Sequence, residues 1–338
     1  MLSNEEIEAI KKILIIQYKP FGDILLNTAY LPKLRKRFPH AQIDFLIQKP
    51  YVTILEDNPN LDNLVVMQKV KKEIPKIKER IRIIRIIRKE KYDMVIDQLR
   101  GTGSAQITMF SRAKYRVGWK LKRYNWLYNI SEPRENIRYY ALLKFDVLKS
   151  LGITENGEDT YYHVKASSQK KIDDWLTKIE LIDRDFIVVS PCSPVLFKQW
   201  SLDYYAATLD KVIRELNLPV VLLWGPGELD RVNYIAEKMK EKPILAIKTN
   251  FNEAAALLKR SKLFFGNDGG INHLAIAVKT ASVAIFGPHS NPRKWQANHK
   301  NIHTYLRNWD CKDKTDRTLG ISIDQAFAEI NKVYELVR

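Results

Sequence analysis

Residues 263–288 read LFFGNDGGINHLAIAVKTASVAIFGP, and the fold of the chain turns on how this stretch is read. The apolar run Leu263-Phe264-Phe265 predicts a buried parallel strand. Gly266-Asn267-Asp268-Gly269-Gly270 predicts a sharp turn, 271–278 a helix and 282–286 the next strand. A strand, a glycine turn and a helix together aim backbone N–H groups and a helix dipole at an anion. An ordinary βα turn has the same form, since short connections of this kind are common in α/β proteins. A glycine cluster alone is a weak motif.

Working outward, the same alternation fills the second half of the chain. Residues 168–179 are helical in pattern. The strand 186–190 stops at Pro191-Cys192-Ser193-Pro194, and the helix 201–216 has Ser201 as its expected cap. The strand 219–224 stops at Gly225-Pro226-Gly227, followed by a helix over 228–239. Asn250 with Glu253 resembles a capping box before a helix to Lys259. A last amphipathic helix is expected over 322–337, after an irregular region 288–314.

The first half alternates too. Strands are expected at 12–17 (KILIIQ), 43–47, 64–67, 94–97 and 115–119, with helices at 24–38, 74–89 and 136–151 and a loop over 120–134. Asp23 falls at or near the expected N-cap of the first helix. Two such sets predict an α/β chain of two Rossmann-like domains with ligands at the C-terminal ends of strands. The turns 19–23, 190–198, 225–228 and 266–270 all lie at such ends.

The chain has 338 residues, 45% hydrophobic and 28% charged, enough for two domains and a sizeable core. No apolar run reaches ~18 residues, so no transmembrane helix is expected. The start, MLSNEEIEAIKK, lacks the apolar region of a signal peptide. Cys192 and Cys311 alone make neither a disulfide framework nor a zinc site, and a cytoplasmic setting is expected. The net charge is +17, and it is uneven: residues 1–165 hold 31 Lys+Arg against 19 Asp+Glu, leaving 25 against 20. A basic first half calls for an anionic partner: nucleic acid, a lipid surface or a phosphorylated substrate. Lys78, Arg82, Arg85 and Lys89 share a helical face, which is either solvated or in contact with anionic headgroups.

Several residues are candidates for chemistry. Asp23 is a general base for an acceptor hydroxyl, or a helix cap. Lys198 can neutralise a pyrophosphate leaving group, or be a surface lysine. Ser190 and Ser193 offer hydroxyls, and Glu228 either accepts from ribose hydroxyls or sits as a favourable first-turn acid. In the glycine turn, Gly269 and Gly270 let amides approach a phosphate. Asp268 holds the loop or bonds a sugar hydroxyl. His273 bonds the donor, or is a buried structural histidine. No zinc spacing, HExxH or GxGxxG appears. Asp183-Arg184-Asp185 lies at the wrong end of its strand for a ligand and reads as a turn.

The segments KILIIQYKPFGDILLNTAYLP, SPVLFKQWS, LLWGPGELD and FGNDGGINHLAIAVKTASVAIFGPHSNPRKW, in this order between Lys12 and Gln296, resemble glycosyltransferase family 9, the ADP-heptose:lipopolysaccharide heptosyltransferases. The resemblance implies the GT-B architecture: two Rossmann-like domains facing across a cleft, with the C-terminal helix packing back towards the N-terminal domain. It implies an acceptor domain at 1–160, a nucleotide-sugar domain at 161–320 and a terminal helix at 321–338. It implies inverting transfer without a metal or cofactor. Asp23 then matches the catalytic base and Lys198, before Trp200, the phosphate-binding lysine. Glu228 matches the ribose-contacting acid, with Asp230 as the alternative register. Asp268, Gly269, Gly270 and His273 match the donor loop, joined by Ser190 and Ser193. Lys19, Arg100, Arg123 and Arg138 are the acceptor contacts.

The resemblance further implies a lipid A–core acceptor and peripheral contact with an anionic membrane. Here Gly269 stands where the family's loop has threonine, and Asn291-Pro292 where Asp-Pro is common. Transfer of another sugar in cell-surface polysaccharide assembly is the alternative. A non-catalytic nucleotide-sugar binder and an RNA-binding protein are further ones, the latter without any recognisable RNA-binding module.

Overall fold

Apolar on both faces, Lys12–Ile16 (β1) lies inside a six-stranded parallel sheet, and its last four residues are buried. A strand covered by helices on each side has no solvent face, which is why its sequence does not alternate. The computed structural model describes residues 2–120, 125–134, 137–297 and 299–338. The chain divides into two units, Met1–His163 and Val164–Arg338.

In the first unit β1 is joined by Gln42–Gln48 (β2), Asn63–Met67 (β3), Met94–Asp97 (β4), Tyr115–Trp119 (β5) and Ile130–Glu132 (β6), in the order β3-β2-β1-β4-β5-β6. Its helices are Asn4–Ala9 (α1), Phe21–Leu26 (α2), Leu31–Arg37 (α3), Glu73–Glu90 (α4), Thr102–Phe110 (α5) and Tyr140–Leu143 (α6). The expected helix over 24–38 is broken into α2, a 3-10 turn and α3. Asn27 donates to the Asp23 carbonyl and Thr28 to that of Leu25, so side chains compete within the turn. Pro32 then lacks the N–H that would continue the ladder, and α3 restarts around it. The expected helix over 136–151 is likewise α6 followed by a 3-10 segment, Asp146–Leu151, ending at Gly152 with φ 76°. The strand β6 lies within the region expected to be loop.

The second unit repeats this topology. Its strands are Ile187–Ser190 (β7), Val220–Leu222 (β8), Ile244–Leu245 (β9), Leu263–Asn267 (β10), Ala281–Ile285 (β11) and His303–Leu306 (β12), in the order β12-β11-β10-β7-β8-β9. Its helices are Ala166–Lys178 (α7), Leu202–Leu216 (α8), Leu229–Lys238 (α9), Phe251–Arg260 (α10), Gly270–Ala277 (α11), Pro292–Trp295 (α12) and Ile323–Val337 (α13). The expected caps form: Ser201 accepts from the Tyr204 amide, and Asn250 and Glu253 make a reciprocal capping box. Strand β12 and helix α12 replace the irregular stretch expected at 288–314.

The C-terminal helix α13 is anchored in the second unit. Ala326, Ile330 and Val333 of α13 are buried in the second unit's own core, with Leu209 and Val212 of α8 and Val283 and Ile285 of β11. An amphipathic helix has one apolar face, and here the second sheet covers it.

Candidate active site

In the first unit the strand order reverses between β1 and β4, the position where open α/β sheets hold ligands. Ile16 pairs with Asp97, so the chain leaves both strands at one level. A cleft of about 430 Å³ opens there, floored by Gln17 and Gln98 and reached by Lys19, Asp23, Arg100 and Lys144. Asp23 is in the third position of α2, whose cap residue is Pro20 with no side-chain cap bond. It is therefore a first-turn acid favoured by the helix dipole, close to the N-cap but not the capping residue. Its carboxylate stays partly open, with 24% of the side chain exposed.

Lys144, which no motif in the sequence singled out, stands behind Asp23. Its Nζ donates to Gln17 Oε1 at 2.9 Å and to the Gln98 carbonyl at 3.3 Å, and lies 3.9 Å from Asp23 Oδ1. Burial pushes this amine down to about 8, against the pull of Asp23 and Asp97. Asp97 beneath is fully buried and is raised by desolvation, although Tyr128 and the Leu99 amide bond it.

The cleft wall is cationic and aromatic. Arg100, in the left-handed region at φ 61°, lies 5.6 Å over the Trp119 ring. Arg134 lies 4.8 Å over Tyr140. Burial lowers the Arg100 pKa, and the Arg134 charge lowers it further. Two guanidiniums that repel across a cleft favour an anion between them. Of the expected acceptor contacts, Lys19 and Arg100 line this cleft. Arg138 does not: it grips the fully buried Asp146 at 2.6 Å, a structural ion pair. Arg123 lies outside the described residues.

The second unit holds its candidates at the equivalent reversal, between β7 and β10. Ser190 pairs with Gly266, and a Cβ on Gly266 would stand 2.7 Å from the Ser190 carbonyl, so the two strand ends approach as only glycine allows. Lys198 reaches Asp268 at 2.7 Å, and Ser290 also donates to that carboxylate. Asp268 thus aims the lysine and holds the loop. Asn267 accepts from the Trp200 amide at 2.9 Å and donates to the Pro191 carbonyl at 2.7 Å. Trp200 is fully buried, its indole bonded to the Thr318 carbonyl and its ring against Tyr205 and Phe265. The loop carrying Lys198 is fixed at both ends by these contacts.

Gly269 is extended at φ −172° and caps α11, whose first residue is Gly270. His273 is buried, its ring 5.9 Å from Trp295. The Ser193 hydroxyl accepts from the Val195 amide within its own loop. Glu228 accepts from the Gly225 amide at 2.8 Å and closes its turn. Arg231 ties that turn to the Lys198 loop through Gln199 Oε1 at 2.7 Å. Among the described residues no group of three or more His, Cys, Asp or Glu could hold a metal ion, and no helix is long and apolar enough to cross a membrane.

One unit thus presents a carboxylate in a cationic cleft, and the other a lysine beside a glycine turn and a helix start. A proton acceptor and an anion-stabilising loop are the parts that group transfer from a phosphorylated leaving group needs. The model of glycosyltransferase family 9 (heptosyltransferase) matches residues 80–321. Lipopolysaccharide heptosyltransferase 3 of Escherichia coli (strain K12) is 30% identical over 294 residues, 82% of this chain and 83% of that protein. Lipopolysaccharide core heptosyltransferase OpsX of Haemophilus influenzae is 20% identical over 290 residues, covering 84% and 81%. The crystal structure of the glycosyl transferase family 9 protein from Veillonella parvula superposes with a TM-score of 0.85 at 25% identity, over 96% of this chain and 97% of that one. The E. coli ADP-heptose lps heptosyltransferase II shares the fold with a TM-score of 0.75 at 19% identity, covering 96% and 99%.

Proposed function

The chain belongs to glycosyltransferase family 9 and is a glycosyltransferase of the GT-B fold class, and from that premise we propose that it moves a heptose from ADP-heptose to the inner core of lipopolysaccharide. The acceptor binds the first unit and the nucleotide sugar the second. Asp23 takes the proton of an acceptor hydroxyl. That oxygen attacks the anomeric carbon as the bond to the nucleoside diphosphate breaks, with inversion. Lys198, the amides of the Gly269–Gly270 turn and the dipole of α11 take up the charge of the leaving diphosphate. No metal or cofactor takes part. An anionic acceptor held in a membrane suits the cationic cleft, and places the enzyme peripherally on the cytoplasmic face of the inner membrane.

The observation that carries this reading is Asp23: a partly open carboxylate in the first turn of α2, beyond the end of β1, in a cleft whose lining includes the cations Lys19, Arg100, Arg134 and Lys144. Asp23→Asn removes the proton acceptor and keeps the shape. Turnover, followed as release of nucleoside diphosphate, should fall by about 10²- to 10⁴-fold. Donor affinity, followed by thermal shift, should stay as in the parent. Near-normal turnover in the variant would return Asp23 to a purely structural role. Screening ADP-, GDP-, UDP- and dTDP-sugars in the same thermal-shift assay tests the donor, and stabilisation by none of them would remove the reading. A second reading, transfer of a related sugar in cell-surface polysaccharide assembly, is favoured by one feature. Gly269 leaves out the hydroxyl that threonine would offer the donor.

A further inference from the structure

We propose that the outward face of α4 is the surface by which this chain docks on an anionic lipid bilayer. The helix presents two faces. Ile83 and Ile87 are buried beneath it, as an amphipathic helix on a sheet requires. On the opposite face Ile74, Ile77 and Ile81, spaced three and four apart, are 70%, 51% and 44% exposed. A surface helix rarely shows three isoleucines to water in one row, and such a row marks a contact.

The charge around the row selects the partner. Residues 69–91 hold 11 Lys+Arg against 3 Asp+Glu. Some of these cations are neutralised: Arg82 pairs with Glu79 and Lys76 with Glu73. Lys78 and Arg85, which lie along one edge of the isoleucine row, make no ion pair among the described residues. An apolar row edged by cations without an ion pair fits the boundary of a bilayer, where the isoleucines enter the acyl region and the cations meet anionic headgroups. Nucleic acid would leave the isoleucines in water.

The placement also serves the cleft. α4 follows β3, so its first turns, which carry the row, stand at the C-terminal edge of the sheet, the edge on which Asp23 lies. Arg82 bonds the Val66 carbonyl and Arg80 bonds Gln106 of α5, fixing the helix to that edge. Docking by this face brings the acceptor cleft towards the membrane surface. The inference rests on the reading of the acceptor as a membrane-held anionic glycolipid.

Flotation of the full-length protein with phosphatidylcholine vesicles, with and without about one-third phosphatidylglycerol, tests it. The parent should float with the anionic vesicles only. A triple variant, Ile74→Ser with Ile77→Ser and Ile81→Ser, should partition about tenfold more weakly, and so should Lys78→Glu with Arg85→Glu. Both should melt as the parent does and turn over a deacylated, water-soluble acceptor at the parental rate. Flotation needs no donor, so a failure to bind vesicles is distinct from a failure to transfer sugar. The proposal is overturned if the triple variant floats as well as the parent, which would mark a generic polyanion surface. It is equally overturned if the parent does not float and the three substitutions convert a dimer to a monomer on gel filtration, which would make the row a contact between copies.

Discussion

Burial pushes the Lys144 amine down to about 8, while Gln17, the Gln98 carbonyl and Asp23 hold its proton in place. Unfolding restores an ordinary lysine value of 10.5. Between these two values the unfolded chain binds more protons than the folded one, so Lys144 makes stability rise with pH from about 8 to about 10.5. Below 8 both states are protonated and the contribution is flat. Urea unfolding at pH 7, 8, 9 and 10 should show parent stability gaining on Lys144→Met across that window. A constant difference would mean that Lys144 titrates normally. Gly269 gives a second test. Its backbone is extended, and a Cβ there meets nothing nearer than the Asn267 carbonyl at 3.9 Å. Gly269→Thr should change stability by less than about 0.5 kcal/mol. It should strengthen donor binding by up to about tenfold if the new hydroxyl finds a partner, as titration with ADP-heptose would reveal. Asp23, Lys198 and Asp268 were legible in the sequence because each follows a visible strand and turn. Arg134, Gln199, Arg231 and Ser290 were not, since each reaches its partner from a distant segment and a chain with 56 Lys+Arg gives a single cation no local mark. Lys144 did leave one signal, a lone lysine inside the apolar run YALLKF.

At the scale of elements, α13 has become part of the second core, and that makes it testable. Ile330 is fully buried among the side chains of that core. Ile330→Ala should cost about 2–5 kcal/mol, measured by urea unfolding. A loss below about 1 kcal/mol would mean that Ile330 is not packed in that core. The loss should register in Trp200 fluorescence, because the Trp200 indole bonds the Thr318 and Ile321 carbonyls at the approach to α13. The central strands were legible, since β1, β7 and β10 each hold an unbroken run of three or four apolar residues and lie close to one turn signal each. Two of the edge strands, β6 and β12, were not. β6 is only Ile-Ser-Glu, and β12 is His-Thr-Tyr-Leu after a run of polar residues. An edge strand pairs on one side only, so it needs neither the length nor the apolar content that makes a strand visible in a sequence. The break at Asn27–Pro32 was hidden for another reason. The apolar pattern runs through it, and only the side-chain bonds of Asn27 and Thr28 show where the helix stops.

Across the whole molecule, one topology is used twice, with candidate chemistry at the strand-order reversal of each sheet. The charge does not follow that symmetry. The excess of 31 basic over 19 acidic residues lies in 1–165, whereas the remainder is nearly balanced. A shared fold therefore does not explain the asymmetry. If the first unit takes a polyanionic glycolipid and the second a single diphosphate, salt should separate them. Screening shortens the Debye length from about 14 to about 6 Å between ~50 and ~300 mM ionic strength, which weakens attraction summed over many exposed cations. A diphosphate met by Lys198 and backbone amides at close range is screened less. KM for the anionic acceptor should rise about tenfold over that range, while donor affinity changes by less than about threefold. Steady-state kinetics with each substrate varied in turn measures both. Equal salt dependence for donor and acceptor would mean that the basic half does not steer the acceptor, and would shift the explanation of its charge to the bilayer contact of α4 alone.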